Sequence, residues 1–285
     1  MDTATIRFSD IQLPSGVCLR YAEAGAAEGP AVLMLHGYSD SWFSFSRLLP
    51  ALPPSWHVIV PDQRGHGDSD RPAEGYDIDD MARDALDLME GLSISRATLV
   101  GHSMGSFVAQ RMAALAPRRV ASIVLVGSGP SLANDVVVEL SAAVDALSDP
   151  VDPCFIREFQ MSTLHRFPPE EFLRRVMTES AKLPARVWKQ VMQGFLRAPE
   201  CGAIQCPALV VWGEQDAIFS RQEQEELLRR IPGAVLKVMR GVGHSPHWED
   251  PAGFLSLLND AVPDGRCAQD GMRSSHQEEA AGLLV

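Results

Sequence analysis

Ala97-Thr98-Leu99-Val100-Gly101-His102-Ser103-Met104-Gly105 is a short strand pattern running into a glycine-flanked serine. A helix pattern follows over residues 106–115 and stops at Pro117. Ser103 therefore stands at a strand-to-helix corner of the Gly-x-Ser-x-Gly type. Glycine suits positions 101 and 105 because side chains there would collide across so tight a turn. The corner puts the Ser103 hydroxyl at the edge of a sheet, and the helix start behind it offers free N–H groups to a developing oxyanion.

The same alternation of strand and helix extends outward in both directions. Ala31-Val32-Leu33-Met34-Leu35 and His57-Val58-Ile59-Val60 read as strands covered on both faces. Met81, Ala85, Leu88 and Met89 make one apolar stripe on a helix over 79–92. Residues 120–126, 208–212 and 234–239 are further strands. Ser220 and Glu223 have capping-box spacing ahead of a helix over 222–231, and Asp250-Pro251 opens a last helix to 262. Before all of these, Ile6, Phe8 and Ile11, a Pro14-Ser15-Gly16 turn, and Val17, Leu19 and Tyr21 read as a hairpin. Strands separated by helices predict right-handed crossovers and a mostly parallel sheet with helices on both faces, an α/β fold.

Residues 131–200 break this rhythm. Val136, Leu140, Ala143, Val144 and Leu147 have helical spacing, as do Phe172, Val176, Val187, Val191 and Phe195, and no strand pattern intervenes. The expected organisation is a core of residues 1–130 and 201–262, a helical cap inserted over 131–200, and a mobile polar tail over 263–285 with a short helix near 277–284.

The 285 residues carry 25 Lys and Arg against 37 Asp and Glu, a net charge of −12. That balance opposes nucleic acid and anionic membrane as partners, since phosphates need a cationic surface. No apolar run approaches the roughly 20 residues that span a bilayer, and the first residues carry no basic start before an apolar core. Five cysteines, with no Cys-x-x-Cys pair, read as free thiols in a reducing compartment. A cytoplasmic location is expected.

A serine hydroxyl needs a base to take its proton. His244, in Gly241-Val242-Gly243-His244, follows the last strand in a glycine-rich loop and is the candidate. His247, three residues on, raises a metal option, but no carboxylate cluster supports it, and no metal is expected. The base needs an acid to fix its tautomer. Asp216 closes Trp212-Gly213-Glu214-Gln215-Asp216 just past the 208–212 strand, and Glu214 is its local competitor. His36-Gly37-Tyr38 lies just past the 31–35 strand, so the Tyr38 and Met104 amides are the expected oxyanion donors. All four elements fall at the C-terminal ends of parallel strands, where an open α/β sheet holds its ligands.

Taken together, His36-Gly37-Tyr38, Gly101-His102-Ser103-Met104-Gly105, Asp216 and Gly243-His244 resemble the α/β-hydrolase family over residues 15–262. The segment Asp62-Gln63-Arg64-Gly65-His66-Gly67-Asp68-Ser69 is similar to a loop of that family and is read as a structural turn, with His66 not catalytic. The resemblance implies the α/β-hydrolase fold and points to the branch with small carboxylesterases, enol-lactonases and cofactor-free haloperoxidases. Epoxide hydrolases and haloalkane dehalogenases of this fold use an aspartate nucleophile, where position 103 is serine. Relatives often carry glycine where Ser106 stands, and the Gly-Gly-Gly oxyanion loop of some lipases and esterases is absent.

The expected activity is hydrolysis of small uncharged esters through an acyl-enzyme, without cofactor. A lactone is an internal ester and is the first alternative substrate. Perhydrolysis and a small-molecule receptor that keeps the triad are the others. Trp42, Trp188 and Trp248 are expected to line the pocket, with Phe43, Phe155, Phe159 and Phe167 adding apolar surface.

Overall fold

The computed structural model describes residues 5–199 and 204–262. Its strands are β1 (Arg7–Gln12), β2 (Cys18–Gly25), β3 (Ala31–Leu35), β4 (His57–Pro61), β5 (Ala97–His102), β6 (Val120–Val126), β7 (Ala208–Gly213) and β8 (Val235–Met239). Its α-helices are α1 (Ile78–Gly91), α2 (Met104–Leu115), α3 (Asp135–Asp145), α4 (Pro153–Ser162), α5 (Glu170–Ser180), α6 (Ala185–Leu196), α7 (Arg221–Arg230), α8 (Pro246–Glu249) and α9 (Pro251–Ala261). The strands form one eight-stranded sheet in the order β1-β2-β4-β3-β5-β6-β7-β8. β1–β2 and β2–β4 pair antiparallel, and every other pair is parallel.

The strand period of two decides which helix each side chain meets. Leu33, Leu35, Ile59, Leu99, Ile123, Leu125 and Val210 share one buried cluster with α1, α2 and the helices between β6 and β7. Their neighbours Val32, Met34, Val58, Val60, Val100, Val124 and Val211 point the other way, into a cluster with Phe254 and Leu258 of α9. Because both faces are covered, β3 to β6 are apolar almost without interruption, as parallel strands must be.

Local chemistry sets the boundaries. Ser220 and Glu223 form a reciprocal capping box at the start of α7, and the Asp250 side chain accepts from the Gly253 amide ahead of α9. Three details differ from the sequence reading. The helix after the serine corner begins at Met104 rather than 106, because the corner makes Ser103 itself the N-cap residue. The spacing over 172–195 belongs to two helices, α5 and α6, divided where Pro184 caps the second. The four-residue α8 was not anticipated. Cys18, Cys154 and Cys206 are free thiols, while Cys201, Cys267 and the expected tail helix lie outside the described residues. No helix of the described residues is long and apolar enough to cross a membrane.

Candidate active site

Ser103 sits at φ 49° and ψ −120°, a conformation that side chains rarely adopt. The turn is held from both ends: the Ser103 amide donates to Val126 O at 2.9 Å, and the Ser106 amide donates to Ser103 O at 2.8 Å. The Ser106 hydroxyl adds a bond to the same carbonyl at 2.6 Å and lies 2.8 Å from Ser128 Oγ. Serine at 106 is thus an added tie rather than a compromise. A Cβ at Gly101 would overlap the Gly105 carbonyl, and one at Gly105 would overlap the Leu35 carbonyl, so the corner and β3 approach as closely as backbones can.

His244 reaches this corner from the loop after β8. Its amide donates to Thr163 O at 3.0 Å, tying the loop to the end of α4. Its ring Nδ1 lies 3.0 and 3.1 Å from the two carboxylate oxygens of Asp216. A carboxylate only accepts, so Nδ1 carries the proton and Nε2 keeps the lone pair of a base. Asp216 is itself fixed: Oδ1 accepts from the Ile218 and Phe219 amides at 2.8 and 3.1 Å. Its side chain is fully buried, whereas the competitor Glu214 is exposed.

The amides of Tyr38 and Met104 make no backbone hydrogen bond among the described residues. The Tyr38 side chain does something else. Its hydroxyl donates to Trp188 O at 2.6 Å, and its ring packs edge-on against Phe159, Trp188 and Phe195. The loop after β3 is therefore fastened to α6.

Ser103 and His244 open onto one cavity. Gly37, Tyr38, Asp40, His102, Ser245 and Trp248 complete its floor. Leu132, Val137, Leu140, Phe159, Met192 and Phe195 form its roof, from the segment between β6 and β7. Among the described residues no lysine or arginine lines it. The space open to the centre of a water molecule is about 60 Å³.

Of the three tryptophans expected at the pocket, the structure brings only Trp248 to it. Trp188 is fully buried one layer behind, against Tyr38, Phe155 and Phe159. Trp188 shares one face of α6 with Met192 and Phe195, one and two turns further along, and it is these later turns that reach the cavity. Trp42 lines a surface groove with Phe43, Pro169, Glu171, Phe172 and Arg175. Its position in a 3₁₀ turn after the β3 loop carries its ring away from the cavity and onto Phe8 of β1. Phe159 lines the cavity, Phe155 packs beneath it, and Phe167 is exposed.

The loop over residues 62–69 is a structural brace. Asp62 accepts from the Trp42 and Asp68 amides at 2.7 and 2.8 Å, and burial pushes its carboxyl up to about 6. Arg64 makes a forked pair with Asp84 at 2.5 Å on both arms. His66 bonds to Arg64 O at 2.9 Å and is pushed by burial down to about 4. His247 lies against the His102 and Phe45 rings, bonds to Ser44 Oγ at 3.1 Å, and is pushed by burial down to about 3. Among the described residues no group of three or more His, Cys, Asp or Glu side chains is arranged to hold a metal ion.

Sequence reasoning missed Asp40, His102 and Gln160 as cavity residues. The one available signal was a carboxylate four places past His36 in a loop that is otherwise aromatic and small. Nothing local marked Gln160, which arrives on α4.

A model of the alpha/beta hydrolase family matches residues 32–257. The pimeloyl-acyl-carrier protein methyl ester esterase of Neisseria meningitidis is 30% identical over 250 residues, covering 82% of this chain and 93% of that one. Epoxide hydrolase 3 of Mus musculus is 28% identical over 264 residues, covering 81% of this chain and 70% of its own length. Among solved structures, a hydrolase from Pseudomonas aeruginosa PA01 superimposes with a TM-score of 0.77 at 25% identity, covering 88% of this chain and 97% of that one.

Proposed function

Since the chain belongs to the alpha/beta hydrolase family and has its fold, we propose that it is a serine hydrolase that cleaves small uncharged carboxylic esters through an acyl-enzyme. Ser103 Oγ attacks the carbonyl carbon while His244 Nε2 takes its proton. Asp216 keeps His244 in the tautomer this requires and stabilises the imidazolium that forms. The Tyr38 and Met104 amides hold the oxyanion, and their having no backbone partner among the described residues supports that role. His244 then returns the proton to the leaving alcohol, and water releases the acid by the same route.

The observation that carries this reading is the fixed His244–Asp216 pair at 3.0 Å, beside a strained serine on the same cavity wall. The methyl ester esterase among the relatives supports an ester as substrate. The cavity supports a small and uncharged one. Its volume is only about 60 Å³, and among the described residues no lysine or arginine lines it to balance an anionic substrate. Of the described residues, 131–199 act as a cap over the core formed by 5–130 and 204–262.

Steady release of p-nitrophenol from the acetate and butyrate esters, with a phosphonate label found by mass on Ser103, is the expected result. A single stoichiometric burst without turnover would instead mark a receptor that keeps the residues of a hydrolase.

A further inference from the structure

The cavity has a polar end that the steps above leave unused. Asp40 is 4% exposed and lines the cavity. Its Oδ1 accepts from Gln160 Nε2 at 3.2 Å and its Oδ2 from the Ser44 hydroxyl at 3.4 Å, both at the long end of hydrogen bonding. Gln160, 2% exposed, also lines the cavity, and its amide nitrogen reaches the hydroxyls of Ser39 and Ser180 at 3.1 and 3.0 Å.

His102 faces this pair. Its Nε2 lies 3.1 Å from the His244 carbonyl, which can only accept. Nε2 therefore carries the proton, and Nδ1 carries a lone pair. That Nδ1 is buried without a partner among the described residues, 3.9 Å from Asp40 Oδ2. The two atoms are too far apart to bond each other: Nδ1 is left unsatisfied in an enclosed site, which is costly, and Oδ2 has only its long bond from Ser44. Gly37 walls the gap. A Cβ there would stand 2.9 Å from His102 Nδ1 and 3.1 Å from Asp40 Oδ2, so any side chain would crowd both.

The missing partner must donate to the Nδ1 lone pair. An anion cannot do so, and among the described residues no lysine or arginine lines the cavity to hold one. Burial pushes the Asp40 carboxyl up to about 7, so near neutrality it can donate as well as accept. A hydroxyl, which does both, matches that pair better than a fixed cation would.

We propose that Asp40, His102 and Gln160 form a subsite for a hydroxyl group on the substrate, making small hydroxylated esters the preferred class. The proposal rests on the ester-hydrolase reading. The hydroxyl donates to His102 Nδ1 and takes its second hydrogen bond from the Asp40 carboxyl. A site built to bond a hydroxyl discriminates against the analogue that lacks it, because the buried groups are then left unpaired.

The test compares matched esters on the full-length protein. Methyl 3-hydroxybutanoate is set against methyl butanoate, and 2-hydroxyethyl butanoate against propyl butanoate, so that the hydroxyl is read on each side of the ester. One of the hydroxylated esters is expected to have kcat/KM about tenfold higher or more than its partner. That ratio should fall to near one in both Asp40→Leu and Gln160→Leu, and partly in Asp40→Asn. Calorimetric binding of 3-hydroxybutanamide against butanamide to the wild-type protein reads the subsite without ester chemistry or any variant. Turnover of all four esters with no hydroxyl preference would overturn the subsite, leave only water in the gap, and leave the ester reading standing. Absence of ester turnover with about tenfold tighter binding of the hydroxylated amide would keep the subsite and overturn the ester reading. Equal binding of the two amides in that case would overturn both.

Discussion

The floor and the roof of the cavity are built by different means. The floor is made of loops at the C-terminal ends of β3, β5 and β8, braced by Asp216 after β7, and each functional group in it is held by backbone geometry. Ser103 is fixed by its strained turn and Asp216 by two amides, with His244 in turn fixed by Asp216. The roof is made of side chains from α3, α4 and α6 and their flanking loops, and it is held by packing, with Tyr38 as its tie to the floor. The difference teaches where tolerance lies. Atoms that do chemistry must be placed within tenths of an ångström, so they sit on rigid backbone; surfaces that select by size need only the right volume.

If the floor carries the chemistry, the largest effect comes from its nucleophile. Ser103→Ala should lower kcat/KM on p-nitrophenyl butyrate by about 10³-fold or more with the thermal midpoint unchanged. Ordinary turnover by a folded Ser103→Ala protein would break the division between floor and roof at once. Asp216→Asn comes next, with a loss of about 10²-fold or more, because asparagine can hold His244 in the wrong tautomer. Glu214→Gln, at an exposed position two residues away, should stay within about threefold of wild type. A larger loss at Glu214 than at Asp216 would mean that the acid has been assigned to the wrong carboxylate.

The roof should speak through chain length instead. Each methylene that finds buried space is worth about 0.8 kcal/mol, or roughly fourfold in kcat/KM. Activity should therefore rise from acetate to a short acyl chain and then fall steeply as the roof is overfilled. Met192→Ala and Phe195→Ala should move the optimum to longer chains. Highest efficiency on palmitate, measured from two to sixteen carbons, would show that the helices between β6 and β7 do not limit the site.

The smallest effects concern stability. His36, His66, His102 and His247 are buried in and beneath the floor, and burial pushes all four below the ordinary histidine range, His66 to about 4 and His247 to about 3. Their unfolded forms bind protons at a higher pH than their folded forms, so each favours unfolding as the pH falls through about 6.5. Asp40 and Asp62, raised to about 7 and about 6, act in the opposite sense over the same range. Four groups outweigh two, and the urea midpoint should fall between pH 6.5 and pH 4. His247→Asn should flatten that slope by up to about 1.4 kcal/mol per pH unit, the most that one titrating group can supply. A slope unchanged in that variant would mean that other groups govern the acid limb.

The contrast between floor and roof is also a contrast in legibility. The floor could be read because its residues are constrained locally. Gly101 and Gly105 are demanded by a turn only a few residues long, and His36, Asp216 and His244 come one, three and five residues past a strand whose pattern is plain. The roof could be recognised only as helical. Trp188 and Met192 occupy neighbouring turns of α6, and four residues of sequence do not say which of the two meets the cavity. Trp42 was misread because its distance in sequence from the loop after β3 is short, while a 3₁₀ turn redirects its ring.

The sequence by itself determined the order of the strands along the chain, the serine corner, the candidates for base and acid, and the existence of a helical insertion, since each follows from short-range sterics or from the period of apolar residues. The tertiary structure alone decided which side chains share the cavity. Asp40, His102 and Gln160 come from a loop, a strand end and a distant helix, and Gln160 stands 120 residues along the chain from Asp40. Their closeness is produced by the packing of α4 over the sheet, and packing depends on the summed shapes of many side chains rather than on any local pattern.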